Sequence, residues 1–356
     1  MKFLVASLLV PMLSGCLCAQ SSDFFDLVQT GKPEEVQAAI ARGADVRAKG
    51  DNEATPLHLA AQANKNPEVI GLLVRAGADV DALDGNGCTP LLDVLSTTEK
   101  HPAIALALVQ AGANANVVDR NGYTPLGLAL GKKYSADFVL ELLKAGAKAK
   151  GGTREPPLVS ATANKYPVSV IKALLKADAD PNQANPNGIT PLQSAAMNNA
   201  APEIVGALLQ AGADPKTKNK DKANALMLAA ADNQRQEVIF LLARAGTDLS
   251  EKDANGMDAL LYALSYGEVN HQDARIAVAL VRAGANINTK DPRGMTPLMY
   301  AVGSANAPSL IFAFLGSGAD AKIKDGTGKT ALDYARENPK LKGSDAIKAL
   351  EKATNS

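Results

Sequence analysis

Gly328-Lys329-Thr330 has the ending of a phosphate-binding loop, in which backbone amides and the lysine would cradle a nucleotide. That chemistry also needs a glycine five positions before the first of these residues, and Ile323 stands there. Asp79, Asp81 and Asp84 approach the carboxylate spacing of a calcium loop, but its fifth position is Leu83. The three histidines, His58, His101 and His271, are scattered, and no cysteine or carboxylate is arranged around the latter two for metal ligation or proton transfer. The three cysteines, Cys16, Cys18 and Cys88, form neither a disulfide framework nor a metal spacing. The chain therefore offers no catalytic set, no metal site and no cofactor motif, and its function is expected to be binding.

The elements that would carry a binding surface are read most easily from Asn185 to Asn219. Asn187-Gly188 makes a turn, and Thr190-Pro191 opens a helix with a threonine cap and proline at the first helical position. Leu192, Ala195 and Ala196 share one face of that helix, which ends near Asn198-Asn199. Pro202 opens a second helix whose Ile204, Val205, Leu208 and Leu209 recur at one helical turn, and Gly212 ends it. A unit this small buries no core by itself, so neighbouring copies must cover its apolar face.

Copies run the length of the chain. Thr-Pro-Leu stands at Thr55, Thr89, Thr124, Thr190 and Thr296, with weaker versions at Pro156, Asn224, Asp258 and Thr330. Successive anchors are 32 to 38 residues apart, and Gly-Ala-Asp or Gly-Ala-Asn endings follow at Gly43, Gly77, Gly112, Gly212, Gly284 and Gly318. This pattern resembles the ankyrin repeat. The resemblance implies an all-α fold: a solenoid of about ten helix-turn-helix units joined by β-hairpin loops, spanning 22–356 as one elongated domain. Residues from about 22 to 50 carry Phe24, Phe25 and Val28 and are expected to be an N-terminal cap, with a C-terminal cap from about 331 to 356. From Gly343 onward a truncated second helix is expected, with Lys348, Glu351 and Lys352 facing water.

The regular copies have exceptions. The hairpin GAKAKGGTREP from Gly146 to Pro156 lacks the usual tip and is expected to bend or disorder locally. Asp178 replaces the helix-ending glycine, and LSYGEVNHQDARI lengthens the turn of the unit that starts at Asp258.

The family resemblance also implies where a partner binds: hairpin tips and the exposed edge of the first helix. Four residues after each threonine equivalent stand Tyr262, Tyr300 and Tyr334 in three consecutive C-terminal units, with Tyr266 one turn beyond the first. Met257 and Met295 occupy nearby hairpin positions. Tyrosine gives large contact area with few rotors, and methionine adapts to a partner's shape, so these six are the candidate partner-binding residues. The competing reading is that the rings pack on one another and seal the inner face. Lys216, Lys218, Lys220 and Lys222 form a second candidate, suited to an acidic partner or lipid headgroups, or else simply solvated. His58 falls where the family's histidine hydrogen-bonds within the stack.

The first twenty residues have another composition, with Lys2 followed by an uncharged apolar run from Phe3 to Leu13, as in the core of an export signal. Leu13-Ser14-Gly15-Cys16 resembles the bacterial lipobox, which implies a signal peptide over 1–15, acylation of Cys16 and a juxtamembrane tether over 16–21. Leu17 after the cysteine, rather than aspartate, favours the outer membrane, facing the periplasm. Cleavage after Ala19 to a soluble periplasmic or secreted protein, and an uncleaved anchor, are the alternatives.

With 37 basic and 37 acidic residues, no nucleic-acid partner is expected, and no small-molecule substrate is implied. The expected partner is another protein. Some exported bacterial ankyrin proteins resemble this layout and serve as immunity or self-protection factors, so by that resemblance inhibition of a periplasmic, envelope-degrading hydrolase is the leading specific expectation. The alternatives are an assembly scaffold that binds without inhibiting and a support factor for a periplasmic stress enzyme.

Overall fold

A computed structural model describes residues 23–150, 155–232, 235–265, 273–304 and 307–355. The described residues form twenty α-helices in ten pairs, with no strand. By their contacts they fall into two units, one ending at Pro157 and the other running from Leu158 to Ser356. This division directly follows the irregular GAKAKGGTREP hairpin, of which residues 151–154 lie outside the described residues.

The first unit holds α1 (23–30), α2 (Pro33–Ala41), α3 (Pro56–Ala63), α4 (Pro67–Arg75), α5 (Pro90–Ser96), α6 (Pro102–Gln110), α7 (Pro125–Gly131) and α8 (Ala136–Lys144). Its first helices α3, α5 and α7 pack side by side, and so do its second helices α2, α4, α6 and α8. Leu57, Leu91 and Leu126 from one layer and Leu73, Leu108 and Leu142 from the other are fully buried between the layers. Phe24 and Val28 of α1 are buried too, while Phe25 lies beside Gly50.

The second unit repeats the plan. It contains α9 (Pro157–Ala163), α10 (Val168–Lys176), α11 (Pro191–Met197), α12 (Pro202–Gln210), α13 (Ala225–Asp232), α14 (Gln236–Arg244), α15 (Ala259–Ser265) and α16 (Asp273–Arg282). The last two pairs are α17 (Pro297–Gly303) with α18 (Ala307–Gly316) and α19 (Ala331–Glu337) with α20 (Asp345–Asn355). Odd-numbered helices from α11 onward form one layer and even-numbered helices the other. The first helices approach closely because their facing residues are small: Ala195, Ala196, Ala229 and Ala301 have no exposed surface.

Local sequence explains why each helix starts and stops where it does. Thr89, Thr124, Thr190, Thr296 and Thr330 each accept a hydrogen bond from the third helical amide through the side-chain hydroxyl. Asn224 and Asp258 do the same in the weaker copies, accepting from Met227 N at 3.0 Å and Leu261 N at 3.0 Å. At the helix end Asp178 takes the left-handed conformation, φ 62°, that glycine holds in the other units.

The connecting loops turn back as hairpins that carry no strand among the described residues. Those at Asp84, Asp119, Asn185, Asn219, Asp253, Asp291 and Asp325 are closed by a main-chain bond, as from Asp291 N to Met295 O at 3.0 Å, and braced by the side-chain carboxylate or amide of that residue. Successive loops are tied edge to edge: Gly326 N donates to Arg293 O at 2.7 Å, and Asn288 bonds both Gly318 O and Asp320 N. Gly294 is needed at such an approach, because its φ is +81° and a Cβ would meet Gly326 N at 2.9 Å. The C-terminal element is also not truncated: α20 has 11 residues against 9 in α12, with Ala346 and Leu350 sealing the stack. Lys348 and Lys352 face water as expected, while half-buried Glu351 pairs with Arg336 at 3.0 Å.

Among the described residues, no helix is long and apolar enough to cross a membrane, and no three potential metal ligands cluster. Cys16, Cys18 and the preceding export-signal residues lie outside the described residues, as do Tyr266 and His271.

Candidate functional site

The residues that resembled chemical motifs are occupied with holding the repeats together. The backbone N–H of Thr55 donates to His58 Nδ1 at 3.2 Å, which leaves Nε2 to donate to Cys88 O in the next repeat at 3.1 Å. Asp79 accepts from Asp81 N, Asp81 from Asn114 N, and Asp84 from Asn86 N and Cys88 N, so three carboxylates brace two loops instead of converging on a cation. Thr330 caps α19, and Lys329 pairs with Glu337 at 2.7 Å. Burial, with help from the Asp93 carboxylate, pushes the Cys88 thiol up, which suppresses the reactive thiolate.

The candidate recognition residues come together in the last three complete repeats. Tyr262, Tyr300 and Tyr334 stand on α15, α17 and α19, one per repeat, and each hydroxyl donates to an aspartate nine residues earlier. The bonds run to Asp253 Oδ2 at 2.8 Å, Asp291 Oδ2 at 2.9 Å and Asp325 Oδ2 at 2.5 Å. The other oxygen of each carboxylate accepts two loop amides: Asn255 and Met257, Arg293 and Met295, and Thr327 and Lys329. One side chain thus folds the loop and ties a tyrosine ring to it.

Burial separates the candidates. Tyr262 is 8% and Met257 7% exposed, so in this repeat the ring and the thioether pack into the stack. That is the packing alternative for this repeat; the carboxylate bond is common to all three tyrosines and does not set their exposure. Tyr300, Tyr334 and Met295 remain half-exposed. Arg293 donates to Tyr300 Oη at 2.8 Å and to Asp291 at 3.0 Å, and Lys329 Nζ lies 5.3 Å from the Tyr334 ring centroid. The accessible part is therefore two fixed phenol rings, each beside a cation already paired with a carboxylate, Arg293 with Asp291 and Lys329 with Glu337: a surface suited to an apolar group flanked by a hydrogen-bond acceptor. In the first unit the equivalent positions are Leu59, Asp93 and Leu128; Asp93 is a buried carboxyl that takes a hydrogen bond from Gln62 at 2.8 Å and that burial pushes upward. Of the lysine run, all four side chains are exposed, and Lys218 pairs with Glu251 at 2.5 Å across adjacent loops.

The aspartates were not among the residues singled out from sequence. Part of their signal is present: the loop residue is Asp wherever Tyr stands nine positions later, though it is also Asp84 and Asp119 ahead of Asp93 and Leu128, and Asn185 or Asn219 ahead of Ser194 or Leu228. A carboxylate has a second acceptor oxygen for the phenol, which an amide lacks.

Titration follows from this geometry. The Tyr334 hydroxyl beside Asp325 holds that carboxyl far below the usual carboxylate range. Burial works to raise Asp291, but the Met295 amide, the Tyr300 hydroxyl and Arg293 outweigh it and hold it down. A lowered folded-state pKa means stability that is complete above the ordinary aspartate value, about 3.9, and is lost as pH falls through the folded values. Urea midpoints measured from pH 7 downward are expected to hold until about pH 4 and then fall, and Tyr334→Phe with Tyr300→Phe should flatten that fall. An unchanged acid slope in the double variant would refute the coupling.

Comparison with known proteins agrees with the fold. Family profiles described as ankyrin repeats in three copies match residues 24–119, 64–153, 158–253 and 192–274, and a profile described as ankyrin repeats in many copies matches 280–335. No curated protein matches the chain. Among solved structures, the chain is similar to the ankyrin repeat domain of Bcl-3, described as a unique member of the IkappaB protein family. The identity is 26% and the TM-score 0.52, over 65% of this chain and 99% of that one. Together, the matched repeats and the paired-helix stack make this chain a member of the ankyrin-repeat family, a protein–protein interaction module of a kind that is generally non-catalytic.

Proposed function

We propose that the chain is a lipid-tethered binder of the bacterial envelope, acylated at Cys16 and facing the periplasm, that occupies and inhibits an envelope-degrading hydrolase. The observation that carries the binding part is the pair of half-exposed rings, Tyr300 and Tyr334, each anchored to a loop carboxylate and flanked by Arg293 or Lys329. Rings held before contact lose little rotamer freedom on binding, which is the main cost that a rigid binder avoids. The lipobox-like Leu13-Ser14-Gly15-Cys16 supports the tether, and a tether raises the effective concentration of the binder at the envelope. Inhibition rests on the layout shared with exported immunity proteins.

Crosslinking in intact cells, detergent extraction of the membrane fraction and mass spectrometry of the adduct test the whole reading. The expected adduct is a one-to-one complex with a hydrolase whose purified activity falls when the chain is added. A partner that binds and stays fully active makes the chain a scaffold instead, and recovery of the chain only from the soluble fraction removes the tether. Tyr300→Ala with Tyr334→Ala is expected to weaken the complex by roughly tenfold or more at unchanged far-UV helicity. Equal affinity of variant and parent would rule out this face.

A further inference from the structure

On the other layer of the second unit, the second helices α14, α16 and α18 enclose a groove of about 250 Å³ lined by Gln236, Arg275, Val278, Arg282, Ser309 and Ala313, with Leu310 beside them. The groove exists because α18 presents small residues, Ser309 and Ala313, toward α16 and turns Phe312 outward, where it is 46% exposed. Leu310 is buried and Val278 half-buried, so the lining between the arginines is apolar.

Arg275 and Arg282 lie seven residues apart on α16, one helical face, so they are separated by about 10 Å along the helix axis. Both are exposed, and among the described residues neither has an ion pair or hydrogen bond. Arg244, at the end of α14, is likewise exposed and unpaired. The nearby carboxylate on α14, Glu237, is exposed and pairs with none of them.

We propose that this groove docks an acidic segment of a partner polypeptide, placing an apolar side chain between Val278 and Ala313 and a carboxylate on each of Arg275 and Arg282. Guanidinium groups favour this occupant because their planar donor fork matches a carboxylate, and the spacing matches acidic residues two turns apart on a docked helix. A concave apolar floor suits an inserted side chain better than the flat surface of a bilayer. The site is independent of the tyrosine face and goes beyond the function proposed for it.

The test uses the full chain and a fluorescein-labelled helical peptide with two glutamates two turns apart flanking a pair of leucines. Binding is read by anisotropy at low and moderate salt. The parent should bind this peptide and not its lysine counterpart, and Arg275→Glu with Arg282→Glu should weaken the glutamate peptide by at least about tenfold and admit the lysine one. Ala313→Phe, which fills the groove and leaves both arginines, should weaken the peptide as well. Tyr300→Ala with Tyr334→Ala should leave it unchanged, so failure of the tyrosine face and failure of this groove are told apart. Equal affinity in parent and charge-reversed chains overturns the proposal. So does absence of peptide binding, including the case in which phosphatidylglycerol vesicles bind the parent and not the charge-reversed variant.

Discussion

Phe314→Ala is expected to destabilise the second unit by about 3–5 kcal/mol, the range for removing a fully buried aromatic ring. Phe314 has no exposed surface and lies in α18, packed against α17 and α20. Its place is taken by Leu208 in α12 and Leu280 in α16, each four residues before the glycine that ends its repeat, so the ring fills a volume that leucine fills elsewhere. Phe314→Leu should therefore cost much less, about 1 kcal/mol. Because each repeat is stabilised by its neighbours, loss of this contact should free α19 and α20 before α11 to α14. Urea unfolding followed by circular dichroism, with hydrogen exchange to locate the loss, checks both parts. A cost below about 1 kcal/mol for the alanine variant would mean that the last repeats contribute little to the stack.

Asp253→Ala should cost about 2–4 kcal/mol, because one substitution strips acceptors from several groups at once. Asp253 is buried and accepts from Asn255 N at 2.9 Å, Met257 N at 2.8 Å and the Tyr262 hydroxyl at 2.8 Å. Asp253→Asn keeps the oxygen that holds the two amides and replaces the one that holds the phenol, so its cost should be about 1 kcal/mol. Asn185 and Asn219 hold their loops in this way, where no tyrosine needs a second acceptor. A double-mutant cycle of Asp253→Asn with Tyr262→Phe measures the bond directly, and a coupling energy indistinguishable from zero would remove it from the stability of the repeat.

Much of the fold was legible because the signals that make it are local. A threonine followed by proline starts a helix whatever its surroundings, and a residue with positive φ ends one, so Thr190, Pro191 and Gly212 announced their helix pair without knowledge of the neighbours. The connecting loops were less legible. The expected hairpins carry no ladder because a carboxylate or amide satisfies the loop amides that a partner strand would otherwise take, as Asp291 does for Arg293 and Met295. The candidate face was half legible: position in the repeat singled out Tyr262, Tyr300 and Tyr334 together, but their exposure differs. Tyr262 is buried while Arg293 and Lys329 stand beside the outer two rings.

Sequence alone determined the period, the ten helix pairs and the family, since each depends on residues within one turn of each other or on recurrence at a fixed spacing. Only the tertiary structure decided which tyrosines face outward and that Arg275 and Arg282 flank an apolar groove. A side chain's exposure depends on what the adjacent repeats place against it, and the partner of each phenol is reached only after the loop has closed and brought an aspartate nine residues away to hydrogen-bonding distance.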